Sequence, residues 1–398
     1  MQVSAPDSSA GNGLISIVTE TYPPEVNGVA HTLLRLSEGM QARGHDIQVV
    51  RPSQKLESQK TDTDTYKLIL APGLPIPGYS DLRFGLPIKN QLIRAWKERR
   101  PHSVYIATEG PLGSSALAAA RKLGIPVASG FHTRFDEYTR HYRVGFLEPV
   151  VRGWLRRFHN RCDMTLVPTR ELQGILESQG FENVRRLSRG VDTSLFSPER
   201  RDPGLRSEWG LADDELALLY VGRLAAEKNI ALAVKAYQAI RAQIPATRLV
   251  LVGDGPIREE LSRKHPDIIF AGMHRGESLA RHYASGDLFL FPSLSETFGN
   301  VVIEAMASGL PVLGYNEAAV REHILPESNG ITVTPGDEAA FIEAGLAMAR
   351  KSRQLTEYGL QARQDSLEQD WSHIFQKFEK LLNEIREEQR HEPAPAYE

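Results

Sequence analysis

Leu288-Phe289-Leu290-Phe291-Pro292-Ser293-Leu294-Ser295-Glu296-Thr297-Phe298-Gly299-Asn300-Val301-Val302-Ile303-Glu304-Ala305-Met306-Ala307-Ser308-Gly309 reads as a strand, a polar turn and a helix in succession. Four large apolar residues, Leu288 to Phe291, have the composition of a buried strand, and Pro292-Ser293 breaks it. Val301 to Ala307 is a run of apolar and good helix-forming residues closed by Gly309. Two glutamates mark this unit, Glu296 in the turn and Glu304 inside the helix. At about 100° per residue an eight-residue step leaves roughly 80° between side chains, so the two face neighbouring directions. An ionised carboxylate only accepts hydrogen bonds, and such a pair suits an elongated ligand carrying two groups of hydroxyls. A charge at a helix start and an ordinary solvated glutamate fit the same residues.

The same strand-to-helix grammar recurs along the whole chain. In the first half, strands are expected at Leu14–Val18, Asp46–Arg51, Lys67–Leu70, Ser103–Ala107, Val127–Gly130 and Met164–Val167. Helical or loop segments separate them, such as Ala30–Arg43, Leu86–Arg99 and Gly113–Leu123. The pattern restarts after Asp192-Thr193-Ser194-Leu195-Phe196-Ser197-Pro198, a linker-like stretch leading into the charged residues 199–215. Further strands are expected at Ala217–Val221, Arg248–Val252, Ile268–Ala271, Leu288–Phe291 and Val312–Gly314, with helices at Asn229–Ala242 and Ile257–Lys264. Strands alternating with helices imply parallel sheets covered on both faces. The expected architecture is α/β, with two doubly wound parallel-sheet, Rossmann-like domains facing a central cleft. Ligands of such sheets lie at the carboxyl ends of the strands. The domains run over 1–192 and 193–369, a long amphipathic helix over about 370–390, and a disordered Pro/Ala tail over 391–398.

Composition bounds the function. A chain of 398 residues with 41% hydrophobic and 24% charged content is a soluble globular protein of two ordinary domains. The single cysteine, Cys162, excludes an intramolecular disulfide framework and any cysteine-rich metal site, and reads as a small buried hydrophobe. No apolar run reaches the length of a membrane span, and Met1 to Gly13 has no signal-peptide core, which points to the cytoplasm. The net charge of −3 conceals an asymmetry: residues 1–190 carry 25 Lys and Arg against 18 Asp and Glu, and the remainder 22 against 32. A basic first half suggests an anionic partner or surface.

Several strand ends carry groups with binding chemistry. Glu20-Thr21-Tyr22-Pro23-Pro24-Glu25-Val26-Asn27-Gly28 opens a helix, and Gly28 would let backbone approach an anionic ligand there. A plain glycine turn fits equally, and the lack of Gly-x-Gly-x-x-Gly argues against a dinucleotide fingerprint. Gly253-Asp254-Gly255-Pro256 resembles half of a phosphate loop. Arg223 and Lys228, after another strand, could bracket a diphosphate, Arg as a bidentate fork and Lys as a point charge; charges flanking a surface turn would look the same. His132 ends a strand of the first half. No second ligand stands at metal spacing from it, so no metal is assigned, and no Gly-x-Ser-x-Gly elbow supports a serine hydrolase. Residues 134–161 interleave Arg134, Arg140, Arg143, Arg152, Arg156, Arg157 and Arg161 with Tyr138, Tyr142, Phe146, Trp154 and Phe158. Such a stretch can lie against anionic lipid headgroups or can simply cover the sheet as a solvated helix. No nucleic-acid module accompanies the charges.

Taken in chain order, these motifs resemble the retaining family 4 glycosyltransferases of the GT-B fold, whose glycolipid-forming branch includes phosphatidylinositol mannosyltransferases and sulfolipid synthases. The likeness covers nearly the whole chain. It is carried by Glu296-x7-Glu304 with Pro292-Ser293 before it, Gly222-Arg223-Leu224…Lys228, Gly253-Asp254-Gly255-Pro256, Arg189-Gly190-Val191-Asp192 and Pro23-Pro24…Asn27-Gly28-Val29. At the first loop the family usually shows two adjacent glycines, whereas this chain has Asn27-Gly28.

The resemblance implies a metal-independent hexosyltransferase with no cofactor and a nucleotide sugar, GDP-mannose or a UDP-hexose or UDP-glucuronate, as donor substrate. It implies an acceptor-binding first domain, joined by the returning terminal helix, and a donor-binding second domain. Arg223 and Lys228 would hold the diphosphate, and Glu304 the ribose hydroxyls. Glu296 would hold the transferred sugar with backbone N–H groups of Phe298, Gly299 and Asn300, and Val301 would join the donor-binding set. Gly28 would approach the distal phosphate and His132 the sugar, while Gly253, Asp254 and Met273 would border the nucleotide. The expected reaction is transfer with retention to a lipid acceptor at the inner face of the plasma membrane, reached through residues 134–161. A soluble or polysaccharide acceptor, or a nucleotide-sugar-binding protein without catalysis, are the alternatives.

Overall fold

The computed structural model of the chain describes residues 13–23, 25, 28–53, 66–76, 79–132, 148–294, 296 and 298–391. The chain forms two units, one of Met1–Ser188 with Ile374–Glu398 and one of Arg189–His373.

The N-terminal unit is built on seven parallel strands. β1 (Leu14–Val18), β2 (Asp46–Pro52) and β3 (Lys67–Ala71) run outward in one direction. β4 (Gly73–Ile76) and β5 (Tyr79–Gly85) then form an antiparallel hairpin. The chain returns to the other side of β1 with β6 (Ser103–Ile106), and continues through β7 (Val127–Gly130), β8 (Met164–Val167) and β9 (Val184–Arg186). The sheet order is therefore β3-β2-β1-β6-β7-β8-β9, and the direction of winding switches between β1 and β6. All five residues of β1 are buried, as a strand covered on both faces requires. The helix Gly28–Ala42 buries Ala30, Leu33, Leu36 and Met40, a helical stripe.

The last helix, Trp371–His391, supplies Phe375, Phe378, Leu382 and Ile385 to this unit. A Cβ at Gly39 would collide with the Phe375 ring, so the small residue makes room for it. Glu379 accepts from Arg43 at 2.5 Å and contacts His45 Nε2 at 2.7 Å.

The C-terminal unit repeats the plan with six parallel strands: β10 (Leu216–Val221), β11 (Thr247–Val252), β12 (Ile269–Gly272), β13 (Leu288–Phe291), β14 (Val312–Tyr315) and β15 (Gly330–Val333). Their order is β12-β11-β10-β13-β14-β15, so the switch lies between β10 and β13. Alternate residues of β10 feed two cores: Ala217, Leu219 and Val221 pack with Val302, Ile303 and Met306, while Leu218 and Tyr220 pack with Leu232, Ala236 and Tyr237.

The expected alternation is present, with differences at its weak points. β9, β15 and the β4–β5 hairpin were not anticipated, and β12 starts one residue later than Ile268. Residues 199–215 are no open linker. They contain the helix Pro203–Glu208 and Arg206, which is 0% exposed and donates to Ser285 O at 2.8 Å, Ala212 O at 2.9 Å and Asp287 at 3.0 Å. A buried guanidinium whose two terminal nitrogens donate in this way fixes the segment onto the sheet. Cys162 is buried, and burial pushes its thiol up to about 12. Among the described residues no helix is long and apolar enough to cross a membrane. Residues 392–398, Val26-Asn27 and 133–147, which include Arg134, Tyr138, Arg140, Tyr142, Arg143 and Phe146, lie outside the described residues.

Candidate active site

At the carboxyl edge of the C-terminal sheet, β10 ends in Gly222-Arg223 and β11 in Gly253-Asp254-Gly255. Gly253 has φ 139°, and a Cβ there would overlap the carbonyl oxygen of Gly222; one at Gly255 would overlap that of Leu224. Gly253 N–H donates to Gly272 O at 2.7 Å and Leu224 N–H to Asp254 O at 2.9 Å. These glycines are therefore dictated by the approach of two loops, a packing reason that the phosphate-loop likeness does not contain. Between the loops lies a cavity of about 530 Å³ lined by Gly222, Arg223, Gly253, Asp254, Met273 and His274. Met273 is 65% exposed. His274 bonds Ala271 O through Nε2 at 3.0 Å and Ser278 Oγ through Nδ1 at 2.8 Å. Because the carbonyl can only accept, Nε2 carries a proton, and the two bonds fix the ring's orientation.

Lys228 enters from the β10 side. Asn229 follows it at φ 51°, the left-handed conformation that Asn tolerates, and joins the short 3₁₀ turn Ala226–Lys228 to the helix Ile230–Gln243. Lys228 Nζ lies 2.8 Å from Glu296 Oε1, both side chains being about one-fifth exposed (20% and 19%). This pair joins the β10 loop to the β13 loop, on the two sides of the topological switch. Arg223 is largely exposed at 67%, with Glu227 3.7 Å away.

The helix Asn300–Ala307 follows the β13 loop, and Gly299 caps it at φ 93° with no side-chain acceptor. A helix start leaves its first backbone N–H groups without intrahelical partners and carries partial positive charge. Phe298 is anchored, its ring buried and its carbonyl accepting from Ala319 N–H at 2.8 Å. Glu304, one turn further in, is half-buried; the buried Tyr283 hydroxyl donates to its Oε2 at 2.9 Å. Burial pushes the Glu304 carboxyl up to about 7, a rise that the Tyr283 bond opposes. Tyr283 was not anticipated, because it lies on a separate helix, Gly276–Ala284.

Of the expected site residues, Arg223, Lys228, Gly253, Asp254, Met273, Glu296, Phe298, Gly299, Asn300, Val301 and Glu304 thus line the carboxyl edge of one unit, and Gly28 and His132 belong to the other. A Cβ built on Gly28 meets no protein atom within 4 Å, so packing does not demand glycine there. His132 is half-buried, its Nε2 3.0 Å from Tyr105 Oη.

Sequence reading also missed two carboxyls at the N-terminal switch. Glu20, after β1, accepts from the backbone N–H of Gly85 and, at 3.3 Å, of Leu112. Burial pushes Glu20 up to about 7, opposed by those bonds. Glu109, after β6, is likewise pushed up to about 7 by burial. The signal was their position immediately beyond two adjacent strands.

A model of "Glycosyltransferase Family 4" matches residues 26–195, and one of "Glycosyl transferases group 1" matches residues 215–351. The chain is 32% identical to a GDP-mannose-dependent alpha-mannosyltransferase of Mycobacterium tuberculosis, over 90% of this chain and 93% of the relative. It is 28% identical to an alpha-monoglucosyldiacylglycerol synthase of Streptococcus pneumoniae, over 76% of this chain and 70% of that one. Among solved structures, a sucrose-phosphate synthase from Thermosynechococcus elongatus superposes with a TM-score of 0.73 at 19% identity, covering 94% of this chain and 99% of its own. That likeness is one of fold, two parallel-sheet α/β domains of the GT-B type. With matching models on both units and a relative spanned almost end to end, the chain belongs to the family 4 glycosyltransferases.

Proposed function

We propose that this enzyme transfers a hexose, with mannose from GDP-mannose as the favoured donor, to a lipid acceptor at the inner face of the plasma membrane, retaining the anomeric configuration. The observation that carries the reading is the Lys228–Glu296 pair at the switch between β10 and β13. Lys228 carries its cation to the carboxyl edge of the sheet beside Glu296, where it can attract a diphosphate oxygen while it orients the carboxylate. Glu296 then accepts from sugar hydroxyls beside the start of the helix Asn300–Ala307, whose N–H groups suit an electron-rich ligand. Arg223, exposed beside the cavity, closes on the diphosphate as a fork. Glu304 takes the ribose hydroxyls, and Gly253, Asp254 and Met273 border the nucleotide. In the N-terminal, acceptor-binding unit, Gly28 lets backbone reach the distal phosphate and His132 meets the sugar.

In the reaction, the bond between C1 of the sugar and the phosphate oxygen breaks with its electron pair going to the diphosphate, where Lys228 and Arg223 stabilise the charge. The acceptor hydroxyl adds to the same face, and its proton passes to the departing phosphate oxygen. The GDP-mannose dependence of the 32% identical mannosyltransferase favours that donor, and the 28% identical monoglucosyldiacylglycerol synthase favours a lipid acceptor. The helix Glu148–His159 supports a membrane contact: Val150 and Trp154, four residues apart on one face, are 67% and 46% exposed, with Arg152, Arg156 and Arg157 beside them.

Turnover assays with GDP-mannose, UDP-glucose and UDP-glucuronate test the donor; transfer from a UDP-sugar alone would overturn the mannose assignment. Flotation with anionic vesicles tests the acceptor side. The protein should float, and Trp154→Ala should weaken binding roughly tenfold, about 1.4 kcal/mol. A protein that stays with the soluble fraction at low salt sinks the lipid reading.

A further inference from the structure

We infer that Tyr105 is a positioning residue for His132, and that the C-terminal helix holds Tyr105 in place. This rests on the reading of His132 as the group that meets the transferred sugar. Tyr105 is the third residue of β6, 1% exposed, and its hydroxyl reaches across the sheet to His132 Nε2 at 3.0 Å. The two rings meet edge to face, with an interplanar angle of 76°. On its other side Tyr105 stacks edge-on against Phe378 of the helix Trp371–His391, centroids 5.1 Å apart at 77°, and Phe378 is 0% exposed.

The backbone leading to the histidine is fixed independently. β7 ends at Gly130, and Phe131 N–H donates to Leu166 O at 2.8 Å while its ring packs edge-on against Phe181. The Tyr105 hydroxyl, 3.0 Å from Nε2, constrains the rotation of the imidazole. Gly130 adds a second mark of this contact. A Cβ there would fall inside van der Waals contact of both Tyr105 Oη and His132 Nε2, so glycine is the residue that leaves the bond room to form. A buried tyrosine whose hydroxyl meets the edge of a half-buried histidine is built to aim it, and the aim is set from the far end of the chain.

Tyr105→Phe keeps the ring, its burial and the Phe378 contact, and removes only the oxygen. The expected result is a kcat reduced roughly ten- to hundredfold, as small misplacements of a positioned group cost. The affinity for free GDP and the thermal stability should remain at the wild-type level, and the acid limb of the pH–rate profile should move. Gly130→Ala should lower kcat and move the pH profile in the same way, with a loss of thermal stability from the overlap. In a His132→Ala background, Tyr105→Phe should have no further effect, because a positioning residue acts only through its target. A wild-type kcat and pH profile for Tyr105→Phe would overturn the inference, and so would an additive double variant. If His132→Ala itself turns over normally, the histidine's role falls and the inference with it. If His132→Ala is inactive and Tyr105→Phe is normal, the positioning role alone falls.

Discussion

The two sheets wind alike but use their switch points differently. Between β10 and β13 the crossing is spanned by charged groups of opposite sign, Lys228 and Glu296, which meet near the surface. Between β1 and β6 stand two carboxyls, Glu20 and Glu109, both raised to about 7 by burial. Glu20 is spent on the protein itself: it takes the Gly85 and Leu112 N–H groups and so ties β5 and the helix Pro111–Leu123 to the end of β1. The same topology thus yields one edge bearing a cation–carboxylate pair and one where Glu20 holds its own loops. What distinguishes these two glutamates is whether the carboxyl meets a side-chain cation or backbone N–H groups.

The largest expected effect tests the ligand-facing edge. Lys228→Ala should lower kcat by about 10²–10³, the scale for removing a charge-stabilising donor, while the circular dichroism spectrum and melting temperature stay close to wild type. Unchanged turnover would place the diphosphate elsewhere. Glu20→Ala tests the other edge. Leaving two backbone N–H groups without their acceptor should lower unfolding stability by about 1–3 kcal/mol, with the transferase rate per folded molecule preserved. A loss of rate at unchanged stability would make the two edges alike.

The smallest effect separates carboxyls by pH. The Glu304 carboxyl is raised above 4.5 to about 7, so its neutral form is the one the fold favours. That contribution to stability is complete below the unfolded value and disappears as pH rises through 7. Ribose hydroxyls donate more strongly to the ionised form, so GDP affinity should climb several-fold between pH 6 and 8. Calorimetry on Glu304→Gln should show a shallower profile over that range. Glu20 and Glu109 titrate in the same window, which makes the difference between wild type and variant the quantity to read. An identical slope in both removes Glu304 from the nucleotide site.

Most strands were readable because a doubly covered strand is largely apolar, as Leu288–Phe291 is throughout and Leu14–Val18 is apart from Ser16. β9, Val184-Arg185-Arg186, failed that test because it ends the sheet and presents arginines to solvent. β15 is the corresponding end strand of the other sheet. Arg206 hid in a charged run, since nothing local announces that Ser285 O, 79 residues away, and Asp287 will accept from it. The site was readable as a set of motifs and unreadable as pairs. Lys228 and Glu296 are 68 positions apart, and Tyr283 reaches Glu304 from a helix that carries no motif.

The N-terminal unit is assembled from both ends of the chain, and this has a consequence for biosynthesis. Its contacts through Phe375, Phe378 and Glu379 join residues more than 270 positions apart, whereas Arg189–His373 is one continuous segment. The unit that leaves the ribosome first is accordingly the one completed last. Until residue 385 has emerged, Gly39, His45 and Tyr105 present an apolar seam awaiting its helix, while the later unit can already close on itself. A nascent chain stalled before Ile374 would carry a complete Arg189–His373 unit and an N-terminal unit still lacking its last helix.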